Sequence, residues 1–159
     1  MKMKKIIISS FVAITVLVAM MIAPATVAAP PPGGAVALEG VWNSELTLTN
    51  CHGFTIRRLK AREMFMRGGT LASVDNSTQP GNGPGFGTWQ YVGGYNFAAP
   101  FEFYQFNADG TFAAVVKVSR TITVGTGLNS YTSNVAVSAY APDGHLLFNA
   151  CGTETATRQ

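Results

Sequence analysis

The chain has 159 residues, of which 47% are hydrophobic, with 11 lysine and arginine residues against 8 aspartate and glutamate residues. Three of the 11 basic residues are Lys2, Lys4 and Lys5, which leaves eight against the eight acidic residues, all of which lie further along. The rest of the chain is therefore formally neutral and lacks the basic excess that nucleic-acid binding requires, so we expect no nucleic-acid partner.

The first segment predicts export. An apolar run from Ile6 to Ala23 follows the three lysines and ends in small residues, which is typical of a signal peptide cleaved after Ala25 or Ala28. A retained membrane anchor is the alternative, because the run approaches spanning length. We predict a signal peptide over residues 1–28, a flexible leader over 29–37 and one domain over 38–159. The protein would then be secreted or periplasmic, without stable membrane insertion.

The remainder alternates in hydrophobicity between turn signals, which predicts an all-β domain. The expected strands, in chain order, are Val41–Cys51, Arg62–Arg67, Thr70–Asp75, Phe86–Tyr91, Tyr95–Phe106, Thr111–Thr123, Asn129–Tyr140 and His145–Arg158. Residues 52–61 are left open as a connection, a helical turn or an extension of the second strand. Short turns favour an eight-stranded antiparallel up-and-down barrel over an immunoglobulin-like sandwich.

Two cysteines in an exported chain predict one disulfide, between Cys51 and Cys151. If they face each other across the first and last strands, Ser44 lies opposite Arg158. The Arg158 guanidinium is then diagonally beside the Trp42 ring, on the same face of the sheet. This pairing would join the first strand to the last, close the barrel and cover one end of it with a cation–π contact.

Glycine and tryptophan opening the first strand, at Gly40 and Trp42, together with the late Arg158, resemble the lipocalin/calycin superfamily. The resemblance covers residues 38–158, and the layout is also similar to small secreted bacterial barrels of unassigned function. It implies a calycin-like barrel that can hold a small ligand. The chain departs from the family pattern by lacking a recognisable C-terminal helix and by placing its long loop, residues 76–85, after the third strand.

Strand parity predicts which side chains face the interior. Phe112, Val116 and Phe148 are expected to form walls of a ligand site at the end opposite Trp42. Arg120 and Glu154 also face inward, where charges are costly unless they are paired. We expect them to pair with each other or with other groups at the floor of the barrel, with the alternative that one of them contacts the polar head of a ligand.

No nucleophile elbow, phosphate-binding loop or dinucleotide fingerprint is present, and two histidines without ligand spacing predict no metal site and no cofactor. The main hypothesis is a protein that binds a small apolar ligand, and not an enzyme. One alternative is a cyclase or isomerase of the allene-oxide-cyclase or dirigent type. Another is a surface-interaction protein with a filled core. A fifth strand that is apolar on both faces leaves a homo-oligomer open.

Overall fold

The computed structural model describes residues 34–77 and 81–159, so the predicted signal peptide and the start of the leader lie outside the described residues. The described part is almost entirely β-structure. Its strands are β1 (Gly40–Thr49), β2 (Thr55–Met66), β3 (Thr70–Asp75), β4 (Gly85–Thr88), β5 (Gln90–Gly93), β6 (Asn96–Ala98), β7 (Phe101–Phe106), β8 (Phe112–Val124), β9 (Ser130–Tyr140) and β10 (Leu146–Arg158). In this described part, no helix is long and apolar enough to cross a membrane.

These ten segments form eight barrel strands, because two of the strands are interrupted. The segments β4 and β5 together form one barrel strand, and β6 and β7 together form the next. In one continuous register, β4 pairs with β7 and β5 pairs with β6. On the other side, β6 and β7 both pair with β8 in one continuous register. One interruption falls at Ala99 and Pro100, where proline has no N–H to donate. Opposite it, a Cβ at Gly87 would lie 2.1 Å from the Pro100 carbonyl oxygen, so only glycine fits there.

The sheet closes on itself. Each strand is antiparallel to its neighbours in sequence, and β1 pairs with both β2 and β10, which joins the first strand to the last. The predicted all-β fold, an eight-stranded antiparallel up-and-down barrel closed by its terminal strands, is therefore confirmed. Residues 52–54 lie in the turn after β1, and residues 55–61 belong to β2. Of the three alternatives, the structure therefore shows an extension of the second strand.

The seam of the barrel differs from the predicted register by two residues. Trp42 lies directly opposite Arg158, where the prediction placed Ser44. The reason is that β1 ends at Thr49, which pairs with Cys151, while Cys51 lies in the following bend with φ of 63°. A shift of two preserves which side chains face inward.

The disulfide between Cys51 and Cys151 is present and links the end of β1 to β10 across 100 residues of sequence. Closing a loop of that length corresponds to about 4–5 kcal/mol in the chain-entropy treatment. The bond lies at the end of the barrel away from Trp42. It therefore fastens the seam at the last pair of the β1–β10 ladder, since Cys151 pairs with Thr49.

The barrel end beside Trp42 is closed by a short 3-10 helix, Gly34–Leu38. Leu38 is fully buried, and its carbonyl oxygen accepts a hydrogen bond of 2.9 Å from the Trp42 indole N–H. The sequence prediction placed residues 34–37 in a flexible leader. Part of that segment instead belongs to the fold, because Ala37 and Leu38 fill the apolar space above Trp42.

Arg158 fastens this helix to the barrel. Its guanidinium carbon lies 4.2 Å from the centroid of the Trp42 ring, as the cation–π prediction requires. The same group donates hydrogen bonds to the carbonyl oxygens of Ala37, Glu39 and Leu128. Arg158 thus connects the 3-10 helix, β10 and the β8–β9 turn.

Replacing Arg158 with alanine should destabilise the fold by about 1–2 kcal/mol and loosen the surroundings of Trp42. Urea unfolding monitored by Trp42 fluorescence in a Trp89→Phe background measures both effects. Arg67→Ala is the matched control, because the Arg67 side chain is exposed and makes one surface ion pair. Equal stability of the Arg158→Ala and Arg67→Ala variants would contradict the role assigned to Arg158.

The interior has two apolar layers. The layer at the closed end is built of aromatic side chains in mutual contact, namely Trp42, Phe65, Trp89, Phe97 and Tyr131. The layer at the open end is built of smaller side chains from β8, β9 and β10, such as Val116, Val137 and Ala150. Small side chains fill less of a barrel of given width, so the open half is where space remains.

Candidate functional site

A cavity of about 200 Å³ occupies the open half of the barrel. Its walls are apolar and are formed by side chains from β1, β7, β8 and β9, chiefly Leu46, Leu48, Phe101, Phe103, Val116 and Val137. These residues face inward because side chains alternate along each strand. The cavity lies at the end opposite Trp42, where the sequence analysis placed a ligand site.

The mouth of the cavity carries polar groups on one side. Arg57 faces inward near the start of β2, and Asp75 lies at the end of β3. The side-chain amide of Asn82 donates to the Asp75 carboxylate at 3.0 Å, and the amide of Gln105 lies 3.4 Å from the Asn82 oxygen. This chain of side chains connects the β3–β4 loop to β7, so it completes the wall where β4 is short. Phe148 lies on the mouth as well and is 48% exposed.

Three buried charged side chains form the floor of the cavity. The Arg120 Nη1 group donates to the carboxylate of Glu63 and lies 3.5 Å from Oε2 of Glu154. Arg120 also donates from Nε to the Ala99 carbonyl oxygen at 3.2 Å. All three charged side chains are at most 4% exposed. The barrel thus holds one cation between two carboxyl groups contributed by β2 and β10.

Neighbouring side chains hold this floor in position. The Arg120 guanidinium carbon lies 4.6 Å from the centroid of Phe101 and 5.6 Å from that of Phe65, so the cation lies between two aromatic rings. The Ser73 hydroxyl donates to Glu63 at 3.1 Å, and the Tyr131 hydroxyl donates to Glu154 at 3.2 Å. Nη2 of Arg120 and the buried hydroxyl of Ser44 have no hydrogen-bond partner among the described residues.

Burial and charge shift the proton affinities of these groups. Burial, followed by the nearby charge of Glu63, raises the pKa of Glu154 to about 7, although Arg120 acts in the opposite direction. Burial alone would lower the pKa of Arg120, but attraction to Glu63 and Glu154 outweighs it and raises that pKa. Burial also raises the pKa of Tyr131 strongly. At neutral pH the floor therefore contains one permanent cation and one carboxyl group that readily exchanges its proton.

The structure brings four of the five predicted ligand-site residues to this cavity. Val116, Arg120, Phe148 and Glu154 line it. Phe112 does not, and its side chain is 40% exposed beside Tyr104 and Phe106. The cause is a register shift between β7 and β8 next to Phe112, since a bulge reverses the alternation of side chains that the prediction assumed.

Two residues of the floor escaped the sequence analysis. Glu63 is the main partner of Arg120, whereas the prediction named only Glu154 and unspecified groups at the floor. Glu63 shares the inward face of β2 with Phe65, and both residues lie within the predicted strand Arg62–Arg67, so parity applied to that strand would have found Glu63. Tyr131 lies on β9 opposite Ala156, so the same parity argument applied to β9 would have found it.

Among residues 34–77 and 81–159, no group of three or more histidine, cysteine, aspartate or glutamate side chains is placed to hold a metal ion. No model of a known protein family matches the chain, and no curated protein matches it with significant similarity. Its class therefore follows from the structure alone. It is a closed eight-stranded antiparallel β-barrel, consistent with the calycin type, in which one end is filled and the other holds an apolar cavity.

Proposed function

We propose that this chain is an exported β-barrel that binds a small hydrophobic ligand in the open half of its interior. The cavity carries the proposal, since apolar walls with a few polar groups at one end are typical of small-molecule sites. Export is supported by the N-terminal pattern of lysines, apolar run and small residues, together with the disulfide. The pattern of Gly40, Trp42 and Arg158 supports kinship with the lipocalin/calycin superfamily.

The volume of the cavity limits the part of a ligand that it encloses. An apolar cavity of about 150 Å³ can hold benzene, so a cavity of about 200 Å³ encloses a group somewhat larger than a benzene ring. A longer tail would extend through the mouth past Phe148. Exposed apolar side chains at the same end, including Phe54 and Leu147, would lie near such a tail.

The test compares one substitution inside the barrel with one outside it. Ala150→Phe places a ring in the cavity, because Ala150 lines it. Ala136→Phe places the same ring on the outer face of the adjoining β9, where Ala136 is exposed. A ligand that enters the cavity should raise the melting temperature of the original chain and of Ala136→Phe, by the equivalent of about 2.7 kcal/mol at a hundredfold excess over its Kd.

Ala150→Phe should fold and should lose this protection. The screen uses fatty alcohols, fatty acids, short alkyl amines, quinones and retinoids. The absence of protection by every compound would contradict ligand binding and leave a surface-interaction role. Equal protection of both phenylalanine variants would place the ligand outside the cavity.

A cyclase or isomerase activity is the second candidate, favoured by the ionisable groups at the floor. Arg120, Glu63 and Glu154 converge at the end of an apolar cavity, and the pKa of Glu154 is close to neutral. A carboxyl group with such a pKa suits proton transfer to or from a bound molecule. Recovery of an isomerised product from the bound ligand, lost in Glu154→Gln, would favour the enzyme.

A further inference from the structure

The floor of the cavity contains more carboxyl groups than cations. Arg120 supplies one positive charge, whereas Glu63 and Glu154 supply two carboxyl groups. The other cationic side chain that lines the cavity, Arg57, lies at the mouth, and Asp75 also lies there. An anionic head placed at the floor would therefore become the third acidic group around one cation.

The floor also offers one donor. Nη1 of Arg120 is engaged by the carboxyl groups and Nε by the Ala99 carbonyl oxygen, which leaves Nη2 without a protein acceptor among the described residues. A buried donor without a partner destabilises the protein, and more so when the donor is charged. A ligand atom that reaches Arg120 from the cavity thus gains most if it accepts a hydrogen bond.

We infer that the ligand carries a neutral hydroxyl group at its inner end, and that the floor discriminates against a carboxylate. This inference rests on the proposed function. A hydroxyl oxygen accepts from Nη2 of Arg120, and its proton is donated to a carboxyl oxygen of Glu63 or Glu154. A carboxylate accepts but adds a like charge, whereas an ammonium group offsets the excess of acid but cannot accept from Nη2 of Arg120.

The experiment uses four probes with the same length of tail: 1-octanol, octanoate, octylamine and 1-methoxyheptane. Binding is measured at pH 7.5 by isothermal titration and by thermal shift. Octanol should bind at least about tenfold more tightly than octanoate, and no less tightly than octylamine. It should bind about 2–10-fold more tightly than methoxyheptane, which accepts a hydrogen bond but has none to donate.

Glu154→Gln provides a second readout, because it removes one carboxyl group and keeps the shape of the side chain. The preference for octanol over octanoate should shrink at least about fivefold in this variant, since the floor then has one acid for one cation. Glu102→Gln is the matched control: Glu102 is exposed on the outer face of β7, so its loss should leave all four affinities unchanged.

The outcomes separate the two proposals. If octanoate binds as tightly as octanol, or octylamine binds more tightly than octanol, the hydroxyl inference is wrong and ligand binding stands. If methoxyheptane binds as tightly as octanol, the donated hydrogen bond is absent and the inference is also wrong. If none of the four probes binds to the original chain, the inference is overturned, and protection by any compound of the wider screen decides whether ligand binding survives.

Discussion

Replacing Arg120 with methionine should destabilise the barrel by about 3–5 kcal/mol, the largest effect that we expect from a single substitution. Methionine fills a similar volume between Phe65 and Phe101 but removes the cation that the carboxyl groups of Glu63 and Glu154 share. At neutral pH both acids would have to bind a proton or remain charged in an apolar interior. Urea unfolding at pH 7.5 measures the loss.

A second variant separates the loss of the ion pair from the loss of packing. The triple change Arg120→Met, Glu63→Gln and Glu154→Gln removes all three charges, so it should recover most of the stability lost in Arg120→Met. Arg58→Met is the control, since Arg58 is exposed on the outer face of β2 and should be nearly neutral. If the triple variant is as unstable as Arg120→Met, the cost lies in packing and not in unpaired charge.

The sequence predicted the frame of the molecule well because the frame depends on local patterns. Alternation and turn residues such as Asp143 and Gly144 define the strands without reference to the rest of the fold. The contact between Trp42 and Arg158 was also predicted, since inward-facing parity is unchanged when a register moves by two residues. The register itself was wrong because Cys51 lies beyond the end of β1.

The floor of the cavity could be predicted only in part. Arg120 and Glu154 stand out as charges on inward faces, but Glu63 lies across the barrel from Arg120, at a sequence separation of 57 residues. No local pattern encodes which inward charges meet across a barrel, since the contact depends on strand tilt and shear. The bulge that turns Phe112 outward has the same origin, because no glycine or proline at Phe112 or Ala113 signals it.

The cavity itself depends on differences in side-chain size that a parity argument does not weigh. Five aromatic residues fill the closed half, whereas Val116, Val118, Val135, Val137 and Ala150 leave space in the other half. The ten phenylalanines of the chain could have filled both halves. Several of them, such as Phe86 and Phe112, instead face outward. The number of phenylalanines therefore could not distinguish a filled barrel from a barrel with a cavity.

The stability of the barrel should fall as the pH rises from about 4.5 to about 7, by a contribution from Glu154. Its pKa is higher in the folded chain, at about 7, than the ordinary value of 4.5, so folding binds a proton in this range. The contribution is therefore complete below pH 4.5 and is lost as the pH rises through 7. The difference between these two pKa values corresponds to a loss of about 3 kcal/mol in the free energy of unfolding across this pH range.

Glu154→Gln isolates this effect, because glutamine has the shape of the protonated acid and cannot ionise. Of the groups that face Glu154, Arg120 and Tyr131 have raised pKa values and keep their protons throughout this range, and the Glu63 carboxyl remains in both proteins. Asp109 and Asp143 have lowered pKa values, so these two residues titrate below this pH range. Unfolding free energies from urea titrations at pH 4.5 and pH 8 should thus fall by about 3 kcal/mol more in the original chain than in Glu154→Gln. The same fall in both proteins would show that Glu154 is already ionised in the folded barrel at pH 4.5, and that Arg120 serves both carboxylates equally.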